Sequence, residues 1–222
     1  LRMAPVPVVT AASGLSLGGG FEVVLHTDKA IFHANSVTGL VESLVGVVPG
    51  GGGVKEMVYR WTEQLGDVTR GAWQAFMNVG YGKTARSPLE AKELCLFRQG
   101  TDDYLMNRDR LLDTAIDAAK AMAPSYSPRG REPIAAAGRE ACAEMVEWLG
   151  KAHAKGHLTP HDVTTGSKIA MIVTGGDVDA GQTITEQDLF DLERSAFVAL
   201  CQTGETRARL EHMLAYGSPL RN

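Results

Sequence analysis

The segment Gly14 to Gly53, GLSLGGGFEVVLHTDKAIFHANSVTGLVESLVGVVPGGGG, carries two glycine clusters and two glutamates, Glu22 and Glu42, set among apolar residues. Just before it, Val6 to Ala12 (VPVVTAA) is a continuous β-branched and small apolar run, the pattern of a short strand buried on both faces. Ser13 to Gly20 then reads as a glycine-rich turn and Phe21 to His26 as a short apolar helix. Strand, glycine turn and helix in that order aim backbone N–H groups at an anion or a polarised oxygen. Lys29 to Ala34 alternates as a second strand and Val37 opens a third, so the segment predicts an α/β fold.

Glu22 directly follows Gly18-Gly19-Gly20-Phe21, and Glu42 is flanked by Leu40, Val41, Leu44 and Val45. A carboxylate in apolar surroundings costs free energy when charged and exchanges protons closer to neutrality, as general acid–base work requires. Either could instead cap a helix or pair with Lys29 or Lys55. Two such glutamates beside two glycine clusters favour a site.

Downstream, Val54 to Leu65 sets apolar residues at 54, 57, 58, 61 and 65, a helical stripe, and Val68 to Val79 reads as another helix. Ser87-Pro88-Leu89-Glu90 is a capping box with proline at the first helical position, opening a helix to about Cys95. Asn107 to Met122 places Leu111, Leu112, Ala115, Ile116, Ala119 and Met122 on one face. Pro124 to Pro133 (PSYSPRGREP) has the composition of a linker. Beyond it the chain reads as helices throughout: Ala135 to Ala154, a Thr159-capped helix to about Val173, a Thr185-capped helix to about Gln202, and Glu205 to Tyr216 stopped by Gly217. The predicted organisation is a first domain over 1–123, a linker over 124–133 and a helical domain over 134–222.

With 222 residues, 44% of them hydrophobic, the chain can bury a core. A formal charge of -4 with both signs interspersed points away from nucleic acid and from a membrane surface. The longest apolar runs fall short of the roughly 20 residues a membrane helix needs. Cys95, Cys142 and Cys201 are widely spaced with no CxxC pair, as expected of reduced thiols in a cytoplasmic protein. Leu1 rather than Met stands first, and upstream chain is expected before it.

Other motifs carry less. Gly14-Leu15-Ser16-Leu17-Gly18 matches the G-x-S-x-G nucleophile elbow, which would make Ser16 the nucleophile of a serine hydrolase; the plainer reading is a small residue in a tight turn. Gly82-Lys83-Thr84 ends like a phosphate loop, but Met77 stands where its first glycine belongs, and Val23 stands where a dinucleotide fingerprint needs its third. His153, His157 and His161 recur every four residues, yet Gly156 and Pro160 interrupt the helix they would share, so solvated surface histidines are expected and no metal.

The strand PVVTAASG, the turn LSLGGGFE, the D-x-x-x-x-x-A-N segment from Asp28 to Asn35 and the run GLVESLVGVVPGGGG together resemble the crotonase (enoyl-CoA hydratase/isomerase) family, over roughly Val6 to Ala123. The resemblance implies a partial crotonase-like (ClpP/crotonase) core followed by an all-helical C-terminal region. It implies Glu22 and Glu42 as the acid–base pair that adds water syn to a 2-enoyl-CoA, Gly19 as an oxyanion donor, and Gly18 and Gly50 as pocket-lining glycines. The second oxyanion donor and much of the CoA adenine pocket would come from chain upstream of Leu1.

The whole chain, down to Gly217-Ser218-Pro219-Leu220-Arg221-Asn222, resembles the C-terminal part of bacterial 3-hydroxyacyl-CoA dehydrogenases of fatty-acid β-oxidation. That likeness implies a CoA thioester as substrate, no cofactor in this segment, NAD for an upstream dehydrogenase portion, a possible thiolase partner and a homo-oligomer. The competing reading is a crotonase-like scaffold, catalytically incomplete, whose C-terminal helices dock a dehydrogenase or thiolase.

Overall fold

The computed structural model describes residues 1–128 and 130–222; Arg129, inside the predicted linker, lies outside the described residues. In chain order the elements begin with β1 (Val9–Ala12), β2 (Leu15–Leu17), α1 (Gly19–Leu25), β3 (Lys29–His33) and β4 (Val37–Gly39). Next come α2 (Gly53–Leu65), α3 (Val68–Gly80), β5 (Thr84–Ala85), α4 (Pro88–Glu93), β6 (Asp103–Leu105) and α5 (Leu111–Met122). The chain ends with β7 (Ile134–Ala135), α6 (Gly138–Ala154), α7 (Pro160–Val173), β8 (Thr183–Ile184), α8 (Glu186–Cys201) and α9 (Gly204–Tyr216). They fall into two compact units, 1–39 with 84–131 and 40–83 with 132–222. Residues 40–83 therefore group with the C-terminal helices, which a linear division at residue 123 does not anticipate. Among the described residues no helix is long and apolar enough to cross a membrane.

In the first unit β1, β3 and β6 form a parallel sheet in the order β1-β3-β6, with Val9 opposite Lys29 and Ile31 opposite Asp103. Ala30, Ile31 and Phe32 are all buried, so this strand is covered on both faces and the alternation expected over 29–34 is not what its burial follows. The buried Asp102 carboxylate pins the sheet, accepting from the Ala30 N–H at 2.9 Å and from the Arg98 guanidinium at 2.7 Å. On one side Ile31, Leu111 and Ala115 form a core cluster with Val9, Ala11 and Leu105. The face expected of α5 is narrower than its sequence pattern: Leu111 and Ala115 are buried, while Leu112 and Ile116 remain exposed.

A second small sheet, β2-β4-β5, corrects the expectation that 13–20 is purely a turn. Leu15, Ser16 and Leu17 pair in parallel with Val37, Thr38 and Gly39, a partner that local glycine and serine propensity does not reveal. Just past α4, Cys95 is the non-glycine residue with positive φ (54°) among the described residues, in the left-handed position that usually takes glycine after a helix.

In the second unit α2, α3, α6, α7, α8 and α9 pack together, with Phe76 of α3 edge-on to Trp148 of α6 at 6.0 Å between centroids. The expectation of an all-helical stretch after 133 needs one correction: β7 and β8 pair antiparallel, Ile134 opposite Ile184. Two-residue strands are too short to show a period in sequence, and their pairing is closed by a core of Tyr59, Ala136, Ile184 and Leu189. The N-terminus of α2 is filled from α8, where Glu193 accepts from the N–H groups of Gly52 (2.8 Å) and Lys55 (2.5 Å). The fully buried Lys55 ammonium contacts Glu56 at 2.8 Å and Glu186, and lies 4.5 Å from the Phe190 ring centroid. Charges so buried persist only when paired like this.

Candidate active site

Three of the sequence-predicted residues meet at the start of α1 in the first unit. Gly18 is the N-cap with φ 56° and ψ −132°, a conformation that disfavours any residue with a Cβ. Its N–H donates to the Gly39 carbonyl (2.9 Å) and its carbonyl accepts from Phe21 (2.8 Å) and Glu22 (3.0 Å), so Gly18 fixes where the helix begins. Gly19 follows as the first helical residue, and its N–H has no intrahelical acceptor.

Glu22 lies in the first helical turn, only 8% exposed. Its Oε2 sits 3.9 Å from where a Cβ on Gly19 would stand. The carboxylate thus lies beside the glycine backbone at ordinary contact distance from the side chain that Gly19 lacks. His26, one turn on, sets its Nδ1 2.7 Å from the Glu22 carbonyl, and sequence reasoning did not single it out. The lysines considered as alternative partners pair elsewhere as well: Lys29 with Asp103 at 2.5 Å, Lys55 with Glu56 and Glu186.

Glu42 and Gly50 belong to the second unit. Glu42 opens a 3-10 turn over Glu42–Val45 that Gly46 ends with φ 79°, and both its carboxylate oxygens are shielded from solvent. Gly50 backs onto α8, where a Cβ would come 3.0 Å from the Phe197 ring.

Ser16 loses the geometry of a nucleophile elbow. It is the middle residue of β2, opposite Thr38, not the apex of a strained strand-to-helix turn, and its hydroxyl points 3.4 Å from the Gly20 carbonyl. His161 also departs from expectation: it is buried on α7, not solvated. Its Nε2 is 2.8 Å from the Thr206 hydroxyl, which donates to the Gly46 carbonyl at 2.7 Å. The single hydroxyl proton is committed to Gly46, so His161 must donate from Nε2. Burial, followed by the Arg209 charge, pushes the His161 imidazolium below its ordinary range, against the opposing pull of Glu205, Gly46 and Asp162. Its four-residue spacing to His157 gave no hint of this, because the two flank the break before α7.

Comparison with known proteins follows the same lines. Residues 1–125 match the family model described as enoyl-CoA hydratase/isomerase. Over 223 aligned residues the chain is 32% identical to a Bacillus subtilis (strain 168) protein named "Probable 3-hydroxyacyl-CoA dehydrogenase", covering all of this chain and 28% of that protein. Over 53 residues it is 42% identical to the human mitochondrial methylglutaconyl-CoA hydratase, covering 24% of this chain and 16% of that one. The chain therefore spans well under a third of these relatives. Among solved structures, a carnitinyl-CoA hydratase from Mycobacterium avium superposes with a TM-score of 0.56 at 16% identity, over 96% of this chain and 62% of that one. A carnitinyl-CoA dehydratase from Mycobacterium avium 104 gives 0.51 at 17% identity, over 90% and 58%. At such identity the likeness is one of fold.

Proposed function

Because the chain belongs to the enoyl-CoA hydratase/isomerase family, we propose that it is the hydratase portion of a longer β-oxidation enzyme, adding water syn across the double bond of a 2-enoyl-CoA. The observation that carries this reading is the first turn of α1, where the Gly19 N–H has no intrahelical acceptor and the buried Glu22 carboxylate lies 3.9 Å from the point a Gly19 Cβ would occupy. In this reading the Gly19 N–H takes the thioester oxygen as enolate charge develops on it, and losing one such donor costs about 3 kcal/mol. Glu22 and Glu42 share the proton traffic. One accepts a proton from water as the water oxygen bonds to the β-carbon, and the other delivers a proton to the α-carbon. Exchange with solvent then restores both carboxyl groups, and one water has been added. Gly18, the N-cap of α1, fixes where the Gly19 N–H stands, and Gly50 is assigned to substrate binding by the family resemblance.

The CoA thioester is the substrate, and these steps draw on no cofactor of this segment. An upstream dehydrogenase portion using NAD is part of the proposal, supported by the likeness of this whole chain to 28% of the Bacillus subtilis protein and by that protein's name. The test is hydration of crotonyl-CoA, followed by loss of the conjugated thioester absorbance. Glu42→Gln and Glu22→Gln should each lower kcat by ~10²–10⁴-fold, the scale of general acid–base catalysis. A rate indifferent to both substitutions, or no hydration by the parent chain, would sink the reading.

A further inference from the structure

We infer that the second unit holds a binding site, beside the 3-10 turn that carries Glu42, for a small amphiphile with an apolar body and one anionic head, of the aliphatic carboxylate class. A cavity of about 360 Å³ lies among α3, α6, α7, α9 with the residues that follow it, and Ser43 and Leu44 of the 3-10 turn. That size falls within the ~300–1,000 Å³ of small-molecule sites. Phe76, Tyr81 and Trp148 line it and brace each other edge to face, with Trp148 at 6.0 Å from Phe76 and 6.3 Å from Tyr81. A wall of mutually locked rings stays open where loose aliphatic chains would collapse.

Two observations add polarity to this apolar space. The first is the Thr165 hydroxyl, which is buried on the cavity wall and makes no hydrogen bond among the described residues. Its neighbours Thr164 and Ser167 return theirs to backbone carbonyls at 3.2 and 2.8 Å. A buried hydroxyl left unpaired is costly, and a polar ligand atom would remove that cost.

The second is charge. Asp162, Arg209 and Arg221 all line the cavity, two cations against one anion. Arg209 is paired, donating to Thr159 (2.9 Å), Asp162 (2.8 Å) and Asn222 (2.8 Å) through Nε and Nη2. Arg221 is largely exposed, donates to the His157 carbonyl at 2.7 Å and stands 3.8 Å from Asp162, which leaves guanidinium donors for a carboxylate head. Burial alone would raise Asp162; the Thr159 N–H, the Arg209 guanidinium and the Thr159 hydroxyl outweigh it and hold the carboxyl below its ordinary range. Asp162 therefore stays ionised at neutral pH, one arginine is neutralised, and the other is in excess.

Gly80, on the wall at the end of α3, has nothing within 4 Å of the point a Cβ would occupy, so a side chain can be added there without a clash. Gly166 has no such freedom, since its Cβ would meet Leu149 at 2.8 Å. The experiment is calorimetric titration of the full chain with octanoate and with 1-octanol, alongside Trp148 fluorescence. Saturable octanoate binding is expected, weakened at least tenfold in Gly80→Leu and several-fold in Thr165→Val. Arg221→Ala should weaken octanoate about tenfold and leave octanol unchanged. Thr165→Val is nearly isosteric and should melt no lower than the parent, so a folding failure of Gly80→Leu would not shield the proposal. Absence of saturable octanoate binding, equal binding by Gly80→Leu and Thr165→Val as by the parent, or indifference to Arg221→Ala would each overturn it.

Discussion

His161 couples the acid stability of the second unit to a single imidazole. Buried beside Arg209, it favours the neutral form in the folded chain, so its folded value lies below the ordinary one of ~6.5. Between those two values the unfolded chain binds a proton that the folded chain does not. The stabilisation is therefore complete above pH ~6.5 and is lost as pH falls toward the depressed folded value. Glu205 and Asp162 oppose the shift and Arg209 supports it. Urea unfolding at pH ~7.5 and ~5.5 should show the parent losing more stability on acidification than His161→Gln. Equal losses would mean that the imidazole does not titrate differently in the two states. At the same scale, Cys95 shows why a glycine-favouring position can be visible in conformation yet hidden in sequence: φ 54° identifies it, while its residue type does not.

Helix caps were the most readable elements. Thr159 with Asp162 and Thr185 with Asp188 form capping boxes at the helix starts expected of them, because such a box uses residues three apart and needs no distant partner. The two caps should nevertheless differ in worth. Thr185 serves its own helix, and Thr185→Ala should cost ~1 kcal/mol. Thr159 also accepts from the buried Arg209 guanidinium at 2.9 Å, and Thr159→Ala should cost roughly twice as much, since hydrogen bonds to charged groups are the stronger ones. Chemical denaturation of the two variants distinguishes these cases, and equal costs would show that Arg209 finds another acceptor. Short strands were the least readable elements. β2, β5, β6, β7 and β8 are two or three residues long, and each exists because of a partner supplied by another part of the chain.

At the scale of the whole molecule, α2 and α3 belong with α6, α7 and α8. A fragment ending at residue 131 would keep α2 and α3 but lose the residues that pack on Tyr59 and Phe76. It should bind a hydrophobic dye and be cleaved by protease within residues 40–83 far faster than the full chain; a fragment as protected as its parent would refute that grouping. The short helix after the glycines, the capped helices at Thr159 and Thr185 and the family resemblance were legible along the chain, because a helix start depends on residues a few positions apart and a resemblance on their order. The discontinuous units, the burial of His161, the pairing of Ser16 within β2 and the cavity beside Trp148 were not. These depend on which faces meet after the chain has folded, and residues 52 and 193 or 46 and 206 come together only through tertiary packing, where no local period records them.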